Sequence, residues 1–256
     1  MSQVIVAHRK HSQVEDVLEQ LPLPDKQKVV LKPNLITSSP PPITTPVETV
    51  EALATYYYGA GHDVVIAEGS GWGDTLDIAD ELGYTRLEKY AALVDLNEDD
   101  YEVKKDPDAL FLKEFEHTKT LKNCYMVSVP VLKHHSTAKV TLSMKNLLGA
   151  TLGQKGRVVK KGRFHMALDE CIVDINSYLQ PDLAVIDGRT AGFGRELSAK
   201  PHELEKIIIS TDLVAADAIG ATYLQRDPLS IGHLKLAEEN GLGIADPQRI
   251  EIVEEQ

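Results

Sequence analysis

Four apolar runs of strand length each break off into polar or glycine-rich residues: KVVLKPNL (28–35), DVVIAEGSG (63–71), CYMVSVPVLK (124–133) and DLAVIDG (182–188). Segments of helical period separate or follow them: VETVEALATYYYGAG (47–61), TLDIADELGY (75–84), MALDECIVDINSYL (166–179) and DLVAADAIGATYLQRD (212–227). Strands that are apolar throughout are covered on both faces, which is the condition of a parallel sheet with crossover helices. The alternation predicts an α/β fold: a mostly parallel, doubly wound sheet with helices on both faces. One stretch departs from it. DDYEVKKDPDALFLKEFEHTKTLKN (99–123) carries short alternating runs, which predict a small antiparallel insertion near 100–125 within a single domain spanning 1–256.

The remaining segments fit the same scheme. VIVAHR (4–9), AALVDLN (91–97), KIIIST (206–211) and RIEIV (249–253) read as strands, and TRLEKYA (85–91) and SIGHLKLAEENGLG (230–243) as helices. SQVEDVLEQL (12–21) reads as a helix capped by Ser12. TSSPPPITTP (37–46) is too rich in proline for a helix and reads as a rigid loop.

In open α/β sheets, ligands bind beyond the carboxyl ends of the strands. Five polar stretches stand at such ends in this reading: Lys32-Pro33-Asn34, Glu68-Gly69-Ser70-Gly71, Lys133-His134-His135, Asp187-Gly188 and Ser210-Thr211-Asp212. Their convergence would make a site.

Charge narrows what the site takes. The net charge is -12, with 39 Asp and Glu among 256 residues, so a 52-residue window would carry about eight acids. Residues 117–168 carry none, and hold ten Lys and Arg. An acidic protein that keeps carboxylates out of one stretch has a local field suited to an anion such as a phosphate or a carboxylate. Within the stretch, GQKGRVVKKGR predicts a mobile basic loop over 153–164 that closes over the ligand.

The candidate residues follow. Lys32, Lys133 and Lys145 hold the anion, Asn34 and Asn146 orient it, and Gly149 lies alongside. Catalytic candidates are His135 and His165 as proton carriers, Lys145 as an amine of lowered pKa, and Asp187 or Glu68 as the group that orients a histidine. Glu68 and Asp74 read as metal or hydroxyl ligands, or Asp74 as a helix cap. Asp217, inside the apolar LVAADAIGA, faces a cation or caps a neighbouring loop. A divalent metal shared by His135, Glu68 and Asp217 is a further reading, and the cofactor is otherwise open.

Several classes are disfavoured. The acidic balance argues against nucleic acid and anionic membranes. No run of about 18 apolar residues predicts a membrane span. Two distant cysteines give no iron–sulfur cluster from this chain alone. GxxxxGK[ST], GxGxxG and HExxH are absent. The start lacks an apolar signal core, and with the cysteine usage this points to the cytoplasm. The oligomeric state is open.

The motifs VVLKPNL, GAGHDVVIAEGSG, VSVPVLKHHSTAKVTLSMKNLLG, GRFH, LAVIDG and STDLVAADAIGA, in that order, resemble domain-of-unknown-function family 362. The resemblance runs from about Lys28 to the end of the chain. It implies a site of Lys32, Asn34, Glu68, Lys133, His135, Lys145, Asn146, His165, Asp187 and Asp217. Many family members carry an appended ferredoxin-like domain, which has no counterpart in this sequence. The family's usual Gly-Pro pair after the Asp-Gly strand is replaced by AGFGREL.

The leading expectation is an enzyme that binds a small anionic or phosphorylated metabolite and carries out proton transfer, isomerisation or elimination. The competing one is a non-catalytic cofactor or metal carrier, or an accessory to a redox partner that brings its own iron–sulfur cluster.

Overall fold

The computed structural model describes residues 2–8, 14–154 and 159–255. In chain order the elements are β1 (Ser2–His8), α1 (Val14–Leu18), β2 (Lys28–Pro33), α2 (Val47–Gly59), β3 (Asp63–Glu68), α3 (Thr75–Glu81), β4 (Ala92–Asp95), β5 (Tyr101–Lys105), β6 (Glu114–Thr118), β7 (Cys124–Val129), β8 (Val131–His135) and β9 (Lys139–Thr141). There follow α4 (Ser143–Asn146), α5 (Leu168–Leu179), β10 (Leu183–Phe193), β11 (Lys200–Ser210), α6 (Leu213–Tyr223), α7 (Gly232–Glu239) and β12 (Ile250–Glu255).

The main sheet has ten strands. Eight run in the order β12-β1-β11-β10-β7-β2-β3-β4, with β8 paired to β10 and β9 paired to β8. From β4 to β10 every pairing is parallel. β11 lies antiparallel between β10 and β1, and β12 returns parallel to β1. This is the mostly parallel α/β sheet read from the sequence. The segment read as an insertion forms a separate antiparallel pair, β5 with β6.

The period-two rule of strands divides the core. Val4 and Val6 of β1 pack on one face with Ala184 and Ile186 of β10, where α6 and α7 lie. Ile5, Ala7, Leu183 and Val185 pack on the other with α1 and α2. α6 has nine of its eleven residues buried, because it is enclosed between the sheet and α7. Asp74 caps α3, its side chain accepting from Leu76 N at 2.9 Å and Asp77 N at 3.1 Å.

Four expectations about elements are corrected. The run 124–133 is two strands, broken at Pro130, which has no N–H for a ladder. Lys133-His134-His135 is consequently part of β8 rather than a loop. Asp187-Gly188 lies inside β10, which continues to Phe193 by exchanging its parallel partner β7 for β8. TRLEKYA yields only a 3₁₀ turn at Tyr84–Leu87, entered through Gly83 at φ 79°. Ser12 lies outside the described residues, as do 155–158 of the loop expected to be mobile.

Candidate functional site

β2 and β3 are neighbouring parallel strands, so their carboxyl ends present Lys32-Pro33-Asn34 and Glu68-Gly69 side by side. Beyond these ends lies a cavity of about 260 Å³. Its floor is an ion pair. Lys32 Nζ, fully buried, donates to Glu68 Oε2 at 2.7 Å, to Pro33 O at 2.7 Å and to Asn146 Oδ1 at 3.3 Å. Glu68 also accepts from Leu35 N at 3.1 Å and Gly69 N at 2.8 Å. Burial lowers the Lys32 pKa, and Glu68 opposes the shift. Asn146 fastens α4 to the strands, donating to Lys32 O at 2.8 Å and Ser128 Oγ at 3.1 Å.

Gly149 seals this floor. Gly69 N donates to Gly149 O at 2.8 Å. A Cβ on Gly149 would stand 2.0 Å from Glu68 Oε1 and 2.6 Å from Lys32 Nζ. Gly149→Ala is expected to cost roughly 1–3 kcal/mol by overpacking against an ion pair that cannot move aside. A shift of the urea midpoint at constant slope checks this.

One wall comes from the carboxylate-free stretch. β8, β9 and α4 contribute Lys133, His135, Thr141 and Lys145. These four face Glu196, from the connection between β10 and β11. His135 Nε2 lies 2.8 Å from Glu196 Oε2, and Lys145 Nζ lies 3.3 Å and Lys133 Nζ 3.9 Å from Oε1. His135 Nδ1 accepts from Thr137 N at 3.1 Å and Ala138 N at 3.0 Å, so the ring proton is assigned to Nε2 and donated to Glu196. Burial holds the His135 pKa down, so the ring is neutral. Burial alone would raise Glu196; Lys145, His135 and Lys133 outweigh it and hold the carboxyl far below its ordinary range. Lys133 donates to Ile43 O at 2.7 Å, and burial brings its pKa down to about 8.

The third side is Lys161. Its Nζ donates to Asn97 Oδ1 at 2.8 Å and to Thr151 O. Burial, reinforced by the nearby Lys32 against the pull of Glu68, brings its pKa down to about 7. Ile36, Trp72, Leu148, Phe164 and Leu168 complete an apolar lining.

Residues 29–222 match the family described as a domain of unknown function (DUF362). The chain belongs to this family. It is similar to the thylakoid-associated protein sll1697 of Synechocystis sp., with 27% identity over 227 residues that cover 84% of this chain and 68% of that protein. No solved structure matches the chain.

In this DUF362 chain, Asn34, Glu68, His135, Lys145, Asn146, Gly149 and His165 all line one cavity, with Lys32 beneath it and Lys133 behind Glu196. His165 is exposed. Two expected members are elsewhere. Asp187 is buried in β10, ion-paired with Arg189 at 2.5 Å and hydrogen-bonded by Thr49 of α2. Its partners join the sheet to α2, and none of them lines the cavity. Asp217 of α6 caps α4, accepting from Ser143 N at 2.8 Å, Met144 N at 2.9 Å and the Ser143 hydroxyl. Burial lifts its pKa to about 7 against these three donors. The set His135, Glu68 and Asp217 is therefore not brought together. Among the described residues, no group of three or more His, Cys, Asp or Glu stands where it could hold a metal ion. Ser210-Thr211-Asp212 follows β11, which runs antiparallel to β10, so its carboxyl end lies beside the amino end of β10, away from the cavity.

Glu196, Lys161 and Trp72 were absent from the sequence-derived site. Trp72 left a signal, as the chain's one tryptophan set among glycines in GSGWGD. Lys161 did not stand out from the other cations of its loop.

Proposed function

We propose that this DUF362 chain binds a small anionic metabolite in the cavity and moves a proton on it, as a step of isomerisation or elimination. The supporting observation is the charge balance around the cavity. Lys32, Lys133 and Lys145 stand against Glu68 and Glu196, and the Lys161 amine adds a further positive charge when it is protonated. Cations that outnumber the carboxylates give the cavity a positive field, which favours an anion there. Lys145 and the Asn34 amide, at the cavity surface, are the contacts for that anion.

Lys161 is the proton carrier. A base works best when its pKa lies near the operating pH, and burial brings this amine to about 7. His135 does not fill that role, because both of its ring nitrogens are engaged; it holds Glu196 instead. We place the protein in the cytoplasm. Cys124 and Cys171 are both free and buried, and no helix among the described residues is long and apolar enough to cross a membrane.

Calorimetry with inorganic phosphate and a panel of short carboxylates tests the binding. Lys145→Ala is expected to weaken the best of these by about 10–100-fold, the worth of one charge-assisted hydrogen bond. Unchanged affinity would remove the proposal. Binding without wash-in of solvent deuterium would leave a carrier rather than an enzyme.

A further inference from the structure

Glu196 and the groups it meets come from different kinds of structure. Lys133, His135, Thr141 and Lys145 lie on β8, β9 and α4, and all four are buried. Glu196 lies in the connection 194–199, between the long strands of a hairpin. Gly194 begins this connection at φ 102°, a conformation glycine adopts without strain. Among the described residues, its other hydrogen bonds are Gly194 N to His134 Nδ1 at 3.1 Å and Ser198 N to Arg195 O at 3.1 Å. Among the described residues, the glutamate carboxylate makes most of the polar contacts between the loop tip and the rest of the fold.

The tip also reproduces the features of a ligand. One carboxylate oxygen accepts a hydrogen bond from His135 Nε2 at 2.8 Å. The other meets Lys145 at 3.3 Å and Thr141 Oγ1 at 3.5 Å. Donors split between two oxygens suit a planar carboxylate. The next residue, Leu197, lines the same cavity while remaining 43% exposed. Leu148, Phe164 and Leu168 form apolar lining in the same cavity.

We propose that Glu196-Leu197 is an internal stand-in for the ligand, and that the seat made by Lys133, His135, Thr141 and Lys145 takes a carboxylate with an apolar body, which displaces Glu196. The exchange leaves the charge of the seat unchanged, because one carboxylate enters as another leaves. Released Glu196 regains its hydration, and the apolar body covers lining that Leu197 covers only in part. This rests on the anion-binding reading above and adds the ligand class and the competitor.

The test titrates benzoate, acetate and inorganic phosphate into the wild-type protein and into Glu196→Gln. The variant keeps the shape of the stand-in and removes its charge. Benzoate is expected to bind the wild type more tightly than acetate does, and to bind Glu196→Gln at least tenfold more tightly than the wild type. A second measurement needs no variant: saturating benzoate should speed hydrogen exchange of amides 194–199 in the wild type. Weaker or unchanged benzoate binding in Glu196→Gln makes Glu196 a fixed wall and overturns the inference. If the variant does not fold, slowed or unchanged exchange in the wild type does the same. In either case, Lys145-dependent binding of phosphate or benzoate leaves the anion reading standing. If no anion binds either form, both fall.

Discussion

Replacing Lys32 with methionine is expected to lower the stability of the fold by about 3–5 kcal/mol, the cost of breaking a buried ion pair by removing one partner. Methionine keeps the length of the lysine stem, so little packing is lost. What is lost is compensation. Glu68 is 4% exposed and keeps two backbone donors, Leu35 N and Gly69 N, but loses its only cation within ion-pair distance among the described residues. Pro33 O and Asn146 Oδ1 lose a donor as well. The decisive measurement is a double-mutant cycle by urea unfolding. Removing both charges of a buried pair is far less damaging than removing one. Lys32→Met combined with Glu68→Gln should therefore recover much of the loss. A single-variant loss below about 1 kcal/mol, the range of an exposed pair, would show that Lys32 is not held as described.

Much of this floor was legible in the sequence. Lys32-Pro33-Asn34 and Glu68-Gly69 end apolar runs, and parallel pairing obliges such ends to meet. The carboxylate-free stretch was legible as a feature, and its role becomes clear from the fold. The stretch builds one wall, and the carboxylates it meets, Glu68 and Glu196, are supplied from outside it. Asp187 was read as functional because a lone acid in an apolar run gives no sign of its partners; Asp217 does cap a neighbouring segment, one of the two roles expected of it, and only its place in a metal set is lost. Thr49 lies 138 residues from Asp187, and Ser143 lies 74 residues from Asp217. Only tertiary structure reveals such pairings. Glu196 escaped because a search for an anion site looks for cations and overlooks the acid they already hold. Lys161 escaped because its lowered pKa arises from burial, which its basic, glycine-containing segment does not announce.

Lys161 carries the last expectation. Lys161→Met should reduce turnover by about 10²–10⁴-fold, the usual contribution of a positioned general base, while changing ligand affinity far less. The pH profile gives the sign. Lys161 acts when neutral, so the rate should rise as pH passes about 7. Lys133 strengthens the anion seat when charged, so affinity should fall as pH passes about 8. Together they give a bell with its maximum between these values. Lys161→Arg should bind the anion and remove the rising limb, since a guanidinium keeps its proton throughout this range. A substrate-free measurement is also available. Only a neutral amine is acylated, so labelling of Lys161 by a small acylating reagent, followed by peptide mass spectrometry, should show a rate that inflects near pH 7. Exposed lysines such as Lys105, whose pKa is raised by its hydrogen bond and ion pair with Glu114, should still be gaining reactivity well above that pH. An inflection for Lys161 at the ordinary lysine value would mean that the amine stays charged at neutral pH. The base would then have to be sought at His165, exposed on the cavity lining.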